Sequence, residues 1–303
     1  MTDIDPLLDP TGRIEPVRQA IVGGRSLWDD ARARLFRNKA AVISMWILGV
    51  IVVIAVFGPM VWVNDYKDIS DLRTIAPTTE GWHILGTDIQ GRDLLARLMI
   101  GLRISLMVGV VATAVSLVIG VTWGATAGYL GGRIDNFMMR IVDVLYALPF
   151  IFFVILLLTV FERNIVLIFA AIGAIEWLTM ARIVRGQTLA IKGKEFIEAA
   201  RASGVSRRAI ILRHILPNVI GPVAVYVTLT IPVVILAESF LSFLGLGVNE
   251  PLTSLGVLIS EGAKTMGEKP WMLLAPALTM AVTLLCLNFI GDGLRDALDP
   301  KER

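Results

Sequence analysis

The chain has 303 residues, 55% of them hydrophobic, with a formal net charge of +2 and a mean hydropathy of +0.73. That is well above an ordinary globular domain, and several apolar runs reach the roughly 20 residues needed to cross a bilayer, so the sequence reads as an all-α, multi-pass membrane protein. The single cysteine, Cys286, excludes a disulfide framework and a cysteine metal site, and His83 and His214 lie too far apart in sequence to suggest a histidine one, so no metal is expected.

Residues 1–39 are polar, carry seven Lys or Arg, and contain no apolar run of the kind a cleaved signal peptide needs. Within them, Leu27, Trp28, Ala31, Leu35 and Phe36 fall near helical spacing between charges. This predicts an amphipathic helix, lying either on the inner membrane surface or against its own protein. The first span is expected at 40–63, with Trp62 near its outer end. A polar extracytoplasmic segment, 64–100, follows. It contains His83 to Asp93, where acid and glycine occur without calcium-loop spacing and read as an ordered connection.

Five further spans are expected within 101–292. The second runs from about 104 to 129, and on it Ala112, Ser116, Gly120, Gly124 and Gly128 recur every four residues, a small face suited to close helix packing. The third, 137–161, is expected to kink at Pro149, and Glu162-Arg163-Asn164 links it to the fourth, 165–180. The fifth, 219–244, contains Pro222 and Pro232. Leu255 to Ile259 suggests a short interfacial helix before the sixth span, 271–290, and 293–303 form a cytosolic tail. With the N-terminus inside, 20 of the 28 Lys and Arg fall in inner segments and eight in outer ones. The positive-inside rule therefore puts both termini, and the loop at about 186–217, in the cytosol.

That loop holds the most patterned polar stretch of the chain, Glu195 to Asn218. Good helix formers from Glu195 to Ala202 are stopped by Ser203-Gly204, and Ser206 can cap a second helix from Arg207. The result is a helix, a tight turn and a helix, with a turn bare at Gly204 and flanked by Arg201, Arg207 and Arg208, which suits docking against another protein. Asp143, Glu176 and Glu238 fall in or near spans, where a charge costs about 2.5–3.5 kcal/mol. Each is a candidate for the translocation path or for pairing within the bundle, as Asp143 could pair with Arg140.

The chain has no G-x-x-x-x-G-K-[ST] phosphate loop, so an active transporter built on it must draw energy from a partner. An ion-coupled secondary transporter would suit the three acids, but gives no reason for the docking turn and should show an inverted repeat. An intramembrane enzyme is the weakest reading, since neither H-E-x-x-H nor G-x-S-x-G is present.

Glu198-Ala199-Ala200, three residues and then Gly204, with Leu216-Pro217 downstream, resembles the EAA signature of ABC-importer membrane subunits. His214 stands where that pattern usually has an apolar residue, and His214 to Asn218 is similar to the peptide and nickel branch. Leu85 to Asp93, Phe240 to Gly247 and Asn288 to Pro300 look like signatures of peptide-permease C-type subunits. Gly24 to Trp28 and Met180 to Thr188 are similar to the oligopeptide members. The resemblance implies a type I ABC importer fold with six transmembrane helices in the bacterial plasma membrane. It also implies a homologous B-type membrane subunit, two ATP-binding subunits that hold ATP and Mg, and an extracytoplasmic peptide-binding protein. This chain itself would carry no cofactor, no ATPase activity and no nucleic-acid partner, only membrane lipid around it. By the same resemblance, Glu198, Ala199, Ala200 and Gly204, and more loosely Ser203, Val205 and Ser206, form the ATPase-coupling turn. The substrate would be oligopeptides, with dipeptides, murein peptides and nickel chelates left open.

Overall fold

The computed structural model describes residues 27–149, 152, 154–156, 160 and 165–298. The Glu162-Arg163-Asn164 link, most of the second half of the expected third span, and both chain ends lie outside the described residues. Helix α1 (Leu27–Arg37) is followed by α2 (Lys39–Val61), capped by the Asn38 side chain, which accepts the Ala41 N–H at 3.2 Å. Then come α3 (Leu94–Leu130), α4 (Gly132–Ala147), α5 (Ile165–Ile191) and α6 (Glu195–Ala202). Helix α7 (Arg207–Ile210) runs through one wide turn, Ile211–Ile215, into α8 (Leu216–Phe243). Helices α9 (Leu255–Lys264) and α10 (Trp271–Leu298) complete the described chain. Among the described residues, four helical stretches are long and apolar enough to cross a membrane: 39–61, 94–130, 207–243 and 271–298.

Most helices outrun the apolar stretches that mark them. Helix α3 begins at 94, not 104, because Asp93 caps it by accepting the Ala96 N–H at 2.7 Å. Its 37 residues extend about 55 Å, well beyond a hydrocarbon core of about 30 Å. Helix α4 starts at Gly132 rather than 137, after a reversal with φ of +67° and +58° at Gly131 and Gly132, and it ends at Ala147, where Leu148 turns extended just before Pro149. Helix α5 continues to 191, taking in the start of the expected loop, and α10 continues through Gly291-Asp292-Gly293 to Leu298. Helix α9 packs into the bundle, with Leu255 and Leu258 buried against α3 and α10. Helix α1 lies against α10 and α2, and Gly293 admits the side chains of Leu35 and Ala41.

Helices α3 and α5 pack backbone against backbone. A Cβ on Gly120 would meet Met180 Cβ at 2.5 Å, one on Gly124 would run into the Ala181 carbonyl, and one on Gly128 would meet the Arg185 carbonyl at 2.9 Å. Gly173 faces Val115 and Ala112 in the same way, so the contacts advance together along both chains and the two helices are parallel. Ala112 and Ser116, the other members of the small face, are fully buried. Gly124→Leu should therefore lower stability by about 1–3 kcal/mol through overpacking. The thermal midpoint of the purified subunit in detergent checks this, with Gly221→Leu as the tolerated control, since nothing lies within 4 Å of a Cβ there.

Candidate functional site

The Glu195–Ser206 turn is closed by a capping motif that its sequence dictates. The Gly204 N–H donates to the Arg201 carbonyl at 3.1 Å and the Val205 N–H to the Ala200 carbonyl at 3.1 Å, with Gly204 at φ +77°. This is the double hydrogen bond of a Schellman terminus, and it needs a residue that tolerates left-handed backbone. Ser206 then caps α7, its hydroxyl accepting the Ala209 N–H at 3.3 Å. Ile197, Ile210 and Ile215 are buried in one cluster with Tyr129 of α3, Val184 of α5 and Val219 of α8. Ala200 and Val205 pack at its edge. Glu198, Ala199, Ser203, Gly204 and Ser206 are exposed on the other side, and a Cβ on Gly204 would meet nothing within 4 Å. Lys192 Nζ donates to the Gly128 carbonyl at 3.0 Å, and Arg201 lies over the Tyr129 ring at 5.8 Å. The turn thus has an anchored inner face and an open, mixed-polarity outer face.

The three acids have different surroundings. Asp143 pairs with Arg182 of α5 at 2.8 Å rather than with Arg140, because α4 lies along α5 and its Asp135 is likewise held by Arg185 at 2.6 and 2.7 Å. Glu238 is 1% exposed inside a cage of hydroxyls: Ser242 donates at 2.6 Å, Ser105 at 3.2 Å and Ser239 at 3.4 Å. Ser105 also accepts the Leu255 N–H at 3.1 Å, so the cage joins α3, α8 and α9. Glu176 lines a cavity of about 390 Å³ between α4 and α5.

Residues 120–303 match the family described as binding-protein-dependent transport system inner membrane component, and residues 26–77 match the N-terminal TM domain of oligopeptide transport permease C. The chain belongs to this family of inner membrane transport components. The oligopeptide transport system permease protein OppC of Haemophilus influenzae is 57% identical over 281 residues, covering 92% of this chain and 90% of that protein. The OppC protein of Escherichia coli K12 is also 57% identical, covering 93% and 94%. A chain of the MetNI methionine ABC transporter in an inward-facing conformation superposes with a TM-score of 0.54 at 18% identity, covering 68% of this chain and 96% of that one. This all-helical permease therefore shares the fold of an ABC importer membrane subunit.

Sequence reasoning missed the strongest polar cluster of this inner membrane component. Asp88, buried in the 62–93 connection, receives Arg92 Nε at 2.8 Å and Arg97 Nη1 at 2.6 Å, and Arg97 reaches on to Glu261 of α9 at 2.6 and 3.1 Å. Close by, Asp93 holds His83 Nδ1 at 2.9 Å and Trp62 Nε1 at 3.2 Å. The Leu85–Asp93 stretch supplied Asp88 and Arg92; nothing near it pointed from Arg97 to Glu261, 164 positions ahead. Burial alone would raise the Asp88 carboxyl, but the charge of Arg97 and the hydrogen bonds and charge of Arg92 outweigh it and hold the group below the ordinary carboxylate value. Its contribution is therefore present above about pH 3.9 and lost as pH falls through the lowered native value. Asp88→Asn should cost about 3 kcal/mol by leaving two buried arginines undercompensated, and should flatten the acid limb of a thermal-midpoint profile measured down to pH 3.

Proposed function

We propose that this chain is a permease subunit of an ATP-driven importer that carries oligopeptides across the bacterial plasma membrane. The observation that carries the reading is the 57% identity to oligopeptide permease proteins along nearly the whole of both chains. The subunit has six transmembrane helices with both termini and the Glu198–Gly204 turn in the cytosol. The parallel run of α3 and α5 supports this count, since the chain must cross back between them. A homologous membrane subunit completes the pathway, an extracytoplasmic binding protein delivers the peptide, and two separate ATPase subunits bind ATP and Mg.

Glu198, Ala199, Ala200 and Gly204, with Ser203, Val205 and Ser206, seat in a groove of one ATPase. The exposed outer face and the empty space around Gly204 suit such a seat, and the buried isoleucines suit transmission, because they tie the turn to α3, α5 and α8 at once. Closure of the ATPases moves the turn, the packed α3–α5 pair moves as a unit, and the pathway changes the side on which it is open. Alternating access requires such states with different partner contacts.

Gly204→Asp is the informative substitution. Aspartate tolerates left-handed backbone better than most residues, so the turn should still close, while its charge occupies the space left for the partner. In proteoliposomes holding the whole complex, ATP-driven peptide uptake should fall by about tenfold or more, with the variant still membrane-inserted and complexed with its companion subunit. Normal uptake would remove the coupling role from this turn.

A further inference from the structure

The acids described above that lie within the helix bundle or the 62–93 connection are each satisfied by the fold, with one exception. Asp88 and Asp135 hold arginines, Asp143 holds Arg182, and Glu238 sits in its serine cage. Glu176, near the middle of α5, has neither a hydrogen-bond donor nor a basic partner among the described residues. The next basic residue along α5, Arg182, is engaged by Asp143 and lies over the Tyr146 ring at 4.3 Å. Glu176 lines instead the 390 Å³ cavity, whose described wall includes Leu145, Leu148, Pro149 and Leu178 with Tyr146 and Thr179. Toward the turn-bearing end, a second and more polar cavity of about 630 Å³ follows the same α4–α5 wall past Asp143 and Arg182.

An unpaired carboxylate among apolar walls on a membrane helix is costly, and such residues mark substrate or ion pathways. We propose that Glu176 is a substrate-binding residue of the translocation path, receiving the free α-ammonium group of the passing peptide. The inference rests on the reading of this chain as a peptide permease. The ammonium is the one cation that every unblocked peptide carries, whatever its side chains. A charge-assisted hydrogen bond to it would orient the peptide, while the apolar walls accept side chains of varied shape. One strong polar contact in a permissive pocket suits a carrier of many sequences better than a set of specific ones.

The test uses the complete complex in proteoliposomes, with trialanine and N-acetyl-trialanine as probes, each rate normalised to occupancy of the binding protein. Glu176→Gln should reduce ATP-driven trialanine uptake by about tenfold. Stimulation of ATP hydrolysis by the loaded binding protein should persist, and acetylated peptide should be carried no worse than by the wild type. Glu176→Asp, which keeps the charge, should restore trialanine uptake. An unchanged preference between the two peptides in Glu176→Gln would overturn the assignment. So would a joint loss of uptake, stimulated hydrolysis and assembly in Glu176→Gln, which would mark Glu176 as the partner of a cation on another subunit. Wild-type vesicles that carry no trialanine with ATP would instead defeat the peptide-permease reading itself, and this inference with it.

Discussion

Lipid tails are as apolar as leucine, so helices in a bilayer gain little by hiding apolar side chains from one another; what they gain comes from close approach. The α3–α5 contact meets that constraint at successive turns, with Gly120, Gly124 and Gly128 admitting the facing backbone and Gly173 returning the fit near the other end. Other elements are added to this pair. Helix α4 is drawn along α5 by the Asp135–Arg185 and Asp143–Arg182 pairs. Helices α8 and α9 are drawn to α3 by the hydroxyl cage of Glu238 and by the close seat of Gly101 against Ser254. Packing sets the framework, and polar contacts fix what leans on it.

The parts of this molecule legible in the sequence are those written in local spacing. A small residue every four positions is visible without knowing its neighbour, and Ser203-Gly204 followed by Ser206 spells a helix end and a helix start within four residues. Helix lengths were less legible, because hydropathy marks the stretch that faces lipid or core and not the stretch that is helical. Helix α3 gained nearly three turns of polar-capped helix at one end in this way, and α5 gained about three turns at the other. The packing of α9 was illegible for a related reason: Leu255 to Ile259 has one composition whether it meets lipid or a protein core. Pairings such as Arg97 with Glu261, or Glu238 with Ser105, depend on how distant helices meet and leave no mark in local pattern.

The two ends of the bundle are built on different principles. At the end that carries the 62–93 connection, buried charges lock α3, α9 and the connection into one block, with Gly86 and Gly91 pressed against the backbone of residues 75 and 70. At the other end, apolar isoleucines anchor a turn whose outer surface stays free. Ion pairs with fixed geometry resist sliding, whereas an apolar cluster can shift its contacts at little cost. The locked end thus suits a fixed rim and the isoleucine-anchored end suits an element that is pushed.

Because α3 and α5 run in the same direction, their peptide dipoles add instead of cancelling. Each helix carries the equivalent of about half a negative charge at its C-terminus, so both negative poles emerge side by side beneath the turn. Lys192 already sits on one of them, at the Gly128 carbonyl, and Arg201 lies over the neighbouring Tyr129 ring. The basic residues gathered there consequently answer an electric field made by the backbone itself. An acidic partner surface approaching this end would meet a local potential smaller than the count of lysines and arginines suggests.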